Sequence, residues 1–296
     1  MIKYFLIVFV SVISIYASEK SQLFDGFEDV KDVEAKKAMT QWMDGNFGLI
    51  PHKVNYLLPY GYRFDDGKYK SYVRSDEYRR IEAELQISLK SQFGYNLFGL
   101  NERYYLAYSQ KSFWQIYSKS SPFRETNYNP EGFVVFPIED DSMFKLQSLE
   151  VGIAHMSNGQ GNNEDVEYAP GEFNPGNRSR SVNYIYSVLS LRHDTLVTRL
   201  KVWIPYFGAD LDDNPDLMDY TGFTEVDLSY FFGKNLVTFM ARGNPVTGLG
   251  CAQVTASHPI MKDVYLYIKL FSGYTESLID YDNYVNKFAI GFSFSR

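Results

Sequence analysis

Regular alternation of apolar and polar side chains is the feature that most constrains how this chain can fold. In residues 81–90, IEAELQISLK, every second side chain is apolar and the intervening ones are polar or charged. Successive side chains of a β-strand point to opposite faces, so this period predicts a strand with one apolar and one polar face. Residues 264–270 repeat the pattern, and residues 285–294 alternate more loosely.

Clusters of Asn, Asp, Gly and Pro separate the alternating segments, as expected of turns between short strands. They occur at residues 65–67, 129–132, 212–216 and 243–245. Residues 30–43 have helical or irregular character, and residues 46–59 are loop-like. The sequence therefore predicts an all-β protein with an irregular N-terminal part.

The N-terminus has the pattern of a secretory signal peptide. Lys3 precedes an uncharged apolar run over residues 4–16, which ends at Ala17 before the polar sequence Ser18-Glu19-Lys20. We expect residues 1–17 to be this signal, cleaved after Ala17. A retained N-terminal anchor is the weaker interpretation, because the run is shorter than the roughly 20 residues that a spanning helix needs.

Composition narrows the class of protein further. The chain holds 25 Tyr and 23 Phe, a net charge of -7 and one cysteine. The acidic balance provides no electrostatic footprint for nucleic acid, and a single cysteine allows no disulfide within the chain. A soluble β-sandwich could share this composition, but a Tyr-rich secreted chain of alternating strands also fits a transmembrane barrel.

A candidate nucleophile lies on the apolar face of one predicted strand. Alternation places His155 and Ser157 on the same face as Val151 and Ile153. An imidazole and a hydroxyl at this spacing can exchange a proton, as catalysis by serine requires. The alternative is that both residues merely precede a turn at Asn158 and Gly159, since a His-x-Ser pair often occurs by chance.

Asn183 is a candidate partner for the imidazole. It lies near the start of the next predicted strand, on one face with Ile185 and Leu189. Its side-chain oxygen could accept from the second ring nitrogen and hold the tautomer. A neutral amide also costs less to desolvate than a carboxylate on a wall that faces lipid.

Six segments, in consistent order, match one known family: QKSFWQ (110–115), SSPFRETNY (120–128), HMSNG (155–159), SRSVN (179–183), DDNPD (212–216) and SGYTESLIDY (272–281). Through them the chain resembles the outer-membrane phospholipase A family over roughly residues 80–292.

The resemblance implies a twelve-stranded antiparallel transmembrane β-barrel of the bacterial outer membrane, with the active site on its outer surface. It implies Ser157 as nucleophile, His155 as general base and then acid, and Asn183 as the residue that orients His155. The backbone N–H of Gly159, together with a water polarised by calcium, would hold the oxyanion.

Calcium is the implied cofactor, bound by oxygens as this ion prefers. The implied ligands are the Ser179 hydroxyl, the Gln160 carbonyl and the carbonyl of Ser120 of the partner subunit. A weaker site in the unpaired barrel is implied at Asp213. Taken without the family, residues 210–216 are an ordinary solvated acidic turn, lacking the glycine and final glutamate of a helix-loop-helix calcium site.

The long segment 160–178 departs from the family. It is longer than the corresponding family loop, and Gln160 stands where the family usually has arginine, a change that a backbone carbonyl ligand tolerates. We expect its acidic residues to solvate an extracellular loop, the alternative being an effect on calcium affinity. They are Glu164, Asp165, Glu167 and Glu172.

Gln110 matches the family's polar residue at a dimer interface within the membrane, where an amide in hydrocarbon seeks a partner. The alternative is a glutamine that faces the lumen and is satisfied by water. Alternation leaves the choice open, because Tyr108, Gln110 and Ser112 share one face and Lys111 and Phe113 the other.

The favoured function is a calcium-dependent outer-membrane phospholipase, active as a homodimer. It would hydrolyse both acyl esters of membrane glycerophospholipids, and also lysophospholipids. The expected organisation is a signal (1–17), a periplasmic N-terminal extension and lead-in (18–75) and the barrel (76–296). The alternatives are a non-catalytic porin-like barrel and, less favoured, an acyltransferase or a barrel protease.

Overall fold

The structure is a computed structural model that describes residues 31–35, 48–64, 78–138, 145–163, 165, 176–206 and 211–296. Contacts divide the chain into two units, Met1–Leu49 and Ile50–Arg296. In the first unit residues 33–35 are helical. The expected signal peptide, the rest of the expected helical segment 30–43 and the cluster at 65–67 lie outside the described residues. Within the described ranges, no helix is both long and apolar enough to cross a membrane.

The second unit is built from long antiparallel strands, preceded by a three-residue strand at the boundary of the units. The strands are β1 (Leu49–Pro51), β2 (Tyr56–Arg63), β3 (Ile81–Tyr95), β4 (Arg103–Trp114), β5 (Phe123–Pro137), β6 (Leu146–Ser157), β7 (Ser181–His193), β8 (Leu196–Pro205), β9 (Thr224–Phe232), β10 (Asn235–Asn244), β11 (Leu249–Met261), β12 (Val264–Gly273) and β13 (Val285–Ser293). One short helix, α1 (Leu217–Thr221), lies between β8 and β9.

Strands β2 to β13 close into a barrel. Each pairs antiparallel with its neighbour in the sequence, and the last strand returns to pair with the first through Phe292↔Leu57 and Phe288↔Tyr62. Closure leaves no strand edge with unpaired backbone groups, which is the condition for a sheet to exist within lipid. The expected twelve-stranded antiparallel barrel is confirmed.

Side-chain alternation sorts residues between the outer and inner faces. On β7, Ile185 and Leu189 are 41% and 39% exposed, whereas Tyr184, Tyr186 and Val188 are buried. On β3 the apolar face points outward, and the polar face turns into the barrel, where Glu82 and Glu84 are buried. The period of two therefore produces an apolar outer wall around a polar interior.

Buried ion pairs fill part of that interior. Arg124 donates to Glu82 through Nε (2.9 Å) and Nη2 (3.2 Å). Lys287 Nζ bridges Glu82 at 2.8 Å and Glu84 at 3.2 Å, and Lys269 Nζ donates to Glu84 at 2.6 Å. Charges removed from water are stable only when paired in this way. These five charged side chains are each at most 2% exposed, so they fill this level of the barrel.

The β12–β13 connection folds into the barrel and forms what we call the plug, residues 274–284. Leu278 and Ile279 are 5% and 0% exposed. Their backbone N–H groups donate to Asn127 Oδ1 and Glu125 Oε1 on β5, each at 3.1 Å. Asp280 accepts from Arg124 Nη1 at 2.5 Å. The plug thus closes the interior next to the start of β5.

The barrel begins before the expected boundary at residue 76. Residues 56–59, expected in a loop, open β2, which pairs with β13 and β3. The sequence pattern does not predict this strand, because Pro59 and Gly61 interrupt the alternation of apolar and polar residues. The register with β3 shifts at the same point, between Leu58 and Gly61. The prediction that residues 18–75 form an extension and lead-in is therefore wrong for β2, which is a strand of the barrel.

The turn expected at residues 129–132 is also wrong. These residues lie in the middle of β5, which runs from Phe123 to Pro137. The strand tolerates Pro130 because the side-chain amide of Asn129 donates the hydrogen bond that a proline cannot donate. The clusters at 212–216 and 243–245 do lie at turns or strand ends.

Candidate active site

His155 and Ser157 lie near the end of β6, on the outer face of the barrel. The residues that precede them on this face, Val151 and Ile153, are 46% and 59% exposed, and both polar residues are half-buried. Register places His155 opposite Asn183 of β7 and Ser157 opposite Ser181. Alternation and strand pairing thus gather three candidate catalytic residues at one point on the outer wall.

The imidazole of His155 is oriented by Asn183. His155 Nδ1 and Asn183 Oδ1 are 2.7 Å apart. An amide oxygen only accepts, so Nδ1 carries the proton and Nε2 is left as the acceptor for the Ser157 hydroxyl. Among the described residues no hydrogen bond joins Ser157 to His155; such catalytic hydrogen bonds often tighten only when substrate binds.

Gly159 begins the loop that follows the site. Its φ is +65°, in the left-handed region that favours glycine, and an added Cβ would lie 2.9 Å from Tyr128 Cε2. Within the described part of the chain its N–H donates to no other group. The residue expected to hold the oxyanion therefore has a backbone donor available beside Ser157.

The side chain of Asn158, just after β6, forms hydrogen bonds with the residues that precede β7. Its Oδ1 accepts from the backbone N–H of Gln160 at 3.3 Å and of Arg180 at 3.1 Å. Its Nδ2 donates to the Arg178 carbonyl at 2.8 Å. The sequence pattern predicted only a turn at Asn158. Asparagine before glycine was the available signal, because this side chain readily bonds nearby backbone.

Two further asparagines attach the surrounding loops. Asn162 accepts from the Ser179 N–H through Oδ1 at 2.9 Å and donates through Nδ2 to Asp213 Oδ1 at 2.8 Å. Asn214, fully buried, accepts from the N–H of Ser181 at 2.9 Å and donates to its carbonyl at 3.1 Å. The β8–β9 connection is thereby held against the start of β7.

Three of the implied calcium ligands lie in these loops. The asparagine contacts bring Gln160, Ser179 and Asp213 into one group of loops, and these residues offer carbonyl, hydroxyl and carboxylate oxygens. This donor set fits calcium. Ser120 lies in the β4–β5 turn, exposed and with φ +62°, and makes no hydrogen bond with that group among the described residues.

No group of three or more His, Cys, Asp or Glu that could hold a metal occurs in the described ranges. Of the acidic residues in the long segment, Asp165 is exposed. Glu164, Glu167 and Glu172 lie outside the part of the chain that the structure describes.

The plug reaches the loops of the site through Tyr281. Its hydroxyl donates to Asp216 Oδ1, and its ring lies 5.8 Å from the guanidinium of Arg180. Burial, together with the neighbouring Asp216 carboxylate, raises the pKa of Tyr281. The phenol therefore stays neutral and remains a donor near neutral pH.

Gln110 faces outward, which overturns the lumen-facing alternative. Leu106 and Tyr108, on the same face of β4, are 60% and 43% exposed. Gln110 Oε1 accepts from the Tyr108 hydroxyl at 3.0 Å, and its Nε2 donates to Ser112 Oγ at 3.3 Å. An amide has two N–H donors and two acceptor sites, so part of its bonding capacity is left for another partner.

Comparison with known proteins identifies the family. A model of the family Phospholipase A1 matches residues 33–294. The chain belongs to this family. Phospholipase A1 of Escherichia coli K12 is 32% identical over 294 residues, which cover 96% of this chain and 94% of that protein. The chain is therefore an outer-membrane phospholipase, and the expected family, enzyme class and location are confirmed.

Two solved structures share the fold of this phospholipase A1 family member. An active-site mutant of outer membrane phospholipase A from Escherichia coli, with alanine in place of an asparagine, superposes with a TM-score of 0.76 at 32% identity; the match covers 85% of this chain and 93% of that one. The calcium-bound dimer of Salmonella typhi outer membrane phospholipase gives 0.75 at 32% identity, with 84% and 93% covered.

Proposed function

We propose that this outer-membrane phospholipase cleaves acyl esters through Ser157, His155 and Asn183. The observation that carries the proposal is the 2.7 Å contact between His155 Nδ1 and Asn183 Oδ1 on the outward face, with Ser157 next on that face. A triad on the outer wall meets phospholipid laterally from the bilayer. The active-site asparagine of the Escherichia coli relative supports the role of Asn183.

Acylation begins when Ser157 Oγ attacks the carbonyl carbon of the ester and transfers its proton to His155 Nε2. The resulting imidazolium is stabilised by Asn183 Oδ1. The Gly159 N–H donates to the oxyanion of the tetrahedral intermediate, a form of preorganised stabilisation that commonly contributes a few kcal/mol. When the intermediate collapses, His155 gives the proton to the departing glycerol oxygen and the acyl group remains on Ser157.

Deacylation repeats the sequence with water. His155 Nε2 takes a proton from the attacking water, and the tetrahedral intermediate again places its oxyanion at the Gly159 N–H. Collapse returns the proton to Ser157 Oγ and releases the fatty acid. Because the site is an open outer surface, we expect hydrolysis at both acyl positions of glycerophospholipids, and of lysophospholipids.

Calcium and a homodimer complete the proposal. Ser179 and Gln160 would hold the ion with Ser120 of the partner subunit, and Asp213 would hold it more weakly in the single barrel. When bound, calcium supplies positive charge next to the developing oxyanion. The bound calcium and dimeric state of the Salmonella typhi relative support this part, as does the outward-facing Gln110.

The test is phospholipid hydrolysis in detergent micelles by the refolded protein and by Ser157→Ala, each with calcium and with chelator. We expect fatty acid release only from the unmodified protein with calcium. Ser187→Ala is the matched control. Ser187 lies on β7, on the same outer face as Asn183, but it is opposite Val151 and away from His155 and Ser157. Equal release by Ser157→Ala and the unmodified protein would contradict the assignment of the nucleophile.

Positional specificity is tested with phospholipids that carry different acyl chains at the two positions, alongside lysophospholipid. We expect release of both fatty acids and hydrolysis of the lysophospholipid. Release from one position alone would restrict the proposal to a single ester.

A further inference from the structure

The strand beside the site, β5, is interrupted opposite His155. Pairing between β5 and β6 includes Tyr128↔Ser157 and Glu131↔Ala154 but is absent between them. The register is the same on both sides of the gap, so Pro130 stands opposite His155. On its other side β5 keeps the pairing Tyr108↔Pro130. Proline has no N–H, and the carbonyl of His155 therefore lacks a ladder donor from β5.

A side-chain amide supplies the missing donor. Asn129 Nδ2 donates to the His155 carbonyl at 2.9 Å, from inside the barrel, and Asn129 is buried. Its Oδ1 accepts from Lys53 Nζ at 2.9 Å. An ammonium only donates and a carbonyl only accepts, so these two neighbours force one orientation of the amide.

Lys53 is itself held in place. Its Nζ lies 2.5 Å from Glu131 Oε1, and its backbone N–H donates to Ser88 Oγ at 3.0 Å. The segment that precedes β2 therefore enters the barrel and reaches, through one amide, the main chain of the candidate general base.

We propose that Asn129 is a positioning residue for His155, acting in place of the N–H that Pro130 lacks. This inference rests on the proposed function. By bonding the His155 carbonyl, Asn129 fixes the main chain from which the imidazole projects, and with it the alignment of Nε2 with Ser157. Catalysis is sensitive to such alignment, because a displacement of about 1 Å can reduce a rate roughly a hundredfold.

The first experiment replaces Asn129 by leucine, which keeps the volume and removes the donor. We expect kcat per folded barrel to fall about tenfold, the scale of one lost hydrogen bond, with KM unchanged. The rate at which a sulfonyl fluoride modifies Ser157 should fall by the same factor. Heat-modifiable electrophoretic mobility measures the folded fraction, so that a loss of folding is not mistaken for a loss of rate.

Asn127→Leu is the matched control. Asn127 is also buried and inward-facing on β5, but its amide bonds Leu278 and Glu125, not β6. We expect it to change the folded fraction without changing kcat or the rate of modification. If Asn129→Leu does not fold, Asn129→Asp replaces it; this variant keeps the Lys53 contact but turns an oxygen toward the His155 carbonyl, and the same loss is expected.

A double variant tests the mechanism directly. Alanine at position 130 has the N–H that proline lacks, so Asn129→Leu with Pro130→Ala should recover most of the lost kcat. The inference is overturned if the single variant matches the unmodified protein in kcat and modification rate, or if the double variant stays as slow as the single one.

The two proposals fail in different ways. Phospholipid hydrolysis by Ser157→Ala would overturn the proposed function itself. An inactive Ser157→Ala combined with an unimpaired Asn129→Leu would leave the proposed function standing and reject only the role of Asn129.

Discussion

At the scale of single residues, asparagine organises the site. Asn183 orients His155, Asn158 and Asn162 connect the loops, and Asn129 bonds the His155 carbonyl. A neutral amide both donates and accepts, so it can join two backbone segments without placing a charge next to lipid. This is a physical reason for the proposed lipid-facing triad to use an amide where a soluble triad commonly uses a carboxylate.

Replacing Asn183 by alanine should reduce kcat roughly tenfold to a hundredfold, because the imidazole loses the acceptor that selects its tautomer, an interaction of about 1–3 kcal/mol. Initial rates on micellar phospholipid measure the effect. Asn183→Asp keeps an acceptor in place and should retain more activity than Asn183→Ala. Equal activity in the two variants would argue that the 2.7 Å contact does not orient His155.

At the scale of the element, β6 faces lipid on one side and the packed interior of the barrel on the other. Its outward residues include the proposed catalytic His155 and Ser157, while its inward residues pack against Phe133 and Tyr186. Gly152 shows how close this packing is: an added Cβ would lie 2.7 Å from Phe133 Cβ and 2.7 Å from Tyr186 Cζ. The strand that positions the site is thus fixed from the inside by tight contacts.

Gly152→Ala should therefore destabilise the barrel by about 1–3 kcal/mol, the usual cost of overpacking a filled core. Urea unfolding of the protein refolded into lipid vesicles measures the change in the free energy of unfolding. Gly132→Ala is the control, because its nearest contact would be Leu106 Cδ2 at an ordinary 3.6 Å. A Gly152→Ala variant as stable as Gly132→Ala would show that the interior can relax around a methyl group.

At the scale of the whole molecule, the interior and the outer surface have separate roles. Buried ion pairs and the plug pack the interior, so the structure favours an enzyme surface over a conducting pore. The outer wall carries the proposed triad and, on β4, the outward-facing Gln110. An amide in hydrocarbon that keeps unused donor and acceptor capacity favours association with another polar group, and here the proposed partner is a second copy of the chain.

Gln110→Leu should weaken dimerisation about fivefold, since polar contacts between membrane segments contribute roughly 1 kcal/mol. Sedimentation equilibrium in detergent with calcium measures the association. Thr198→Val makes a polar-to-apolar change on the outer face of β8, away from β4, and should leave the dimer intact. Identical association of the two variants would exclude Gln110 from the interface.

The sequence alone determined the features that depend on local order. A period of two predicted the strands, placed His155 and Ser157 on the apolar face, and put Asn183 on the matching face of the next strand. These follow from strand geometry, in which neighbouring side chains alternate regardless of what lies across the sheet. The resemblance added the strand number and the family, both confirmed, and roles for site residues that stay predictions.

Only the tertiary structure decided the features that depend on pairing between distant segments. It showed that Gln110 points outward, that β2 belongs to the barrel, and that residues 275–281 are buried. It also placed Pro130 within a strand, although local turn chemistry favours a turn there. The hydrogen bond that compensates for the missing proline N–H joins Asn129 to the His155 carbonyl on another strand, so the sequence around Pro130 does not reveal it. Register across a sheet is a non-local property, and one strand's own pattern does not contain it.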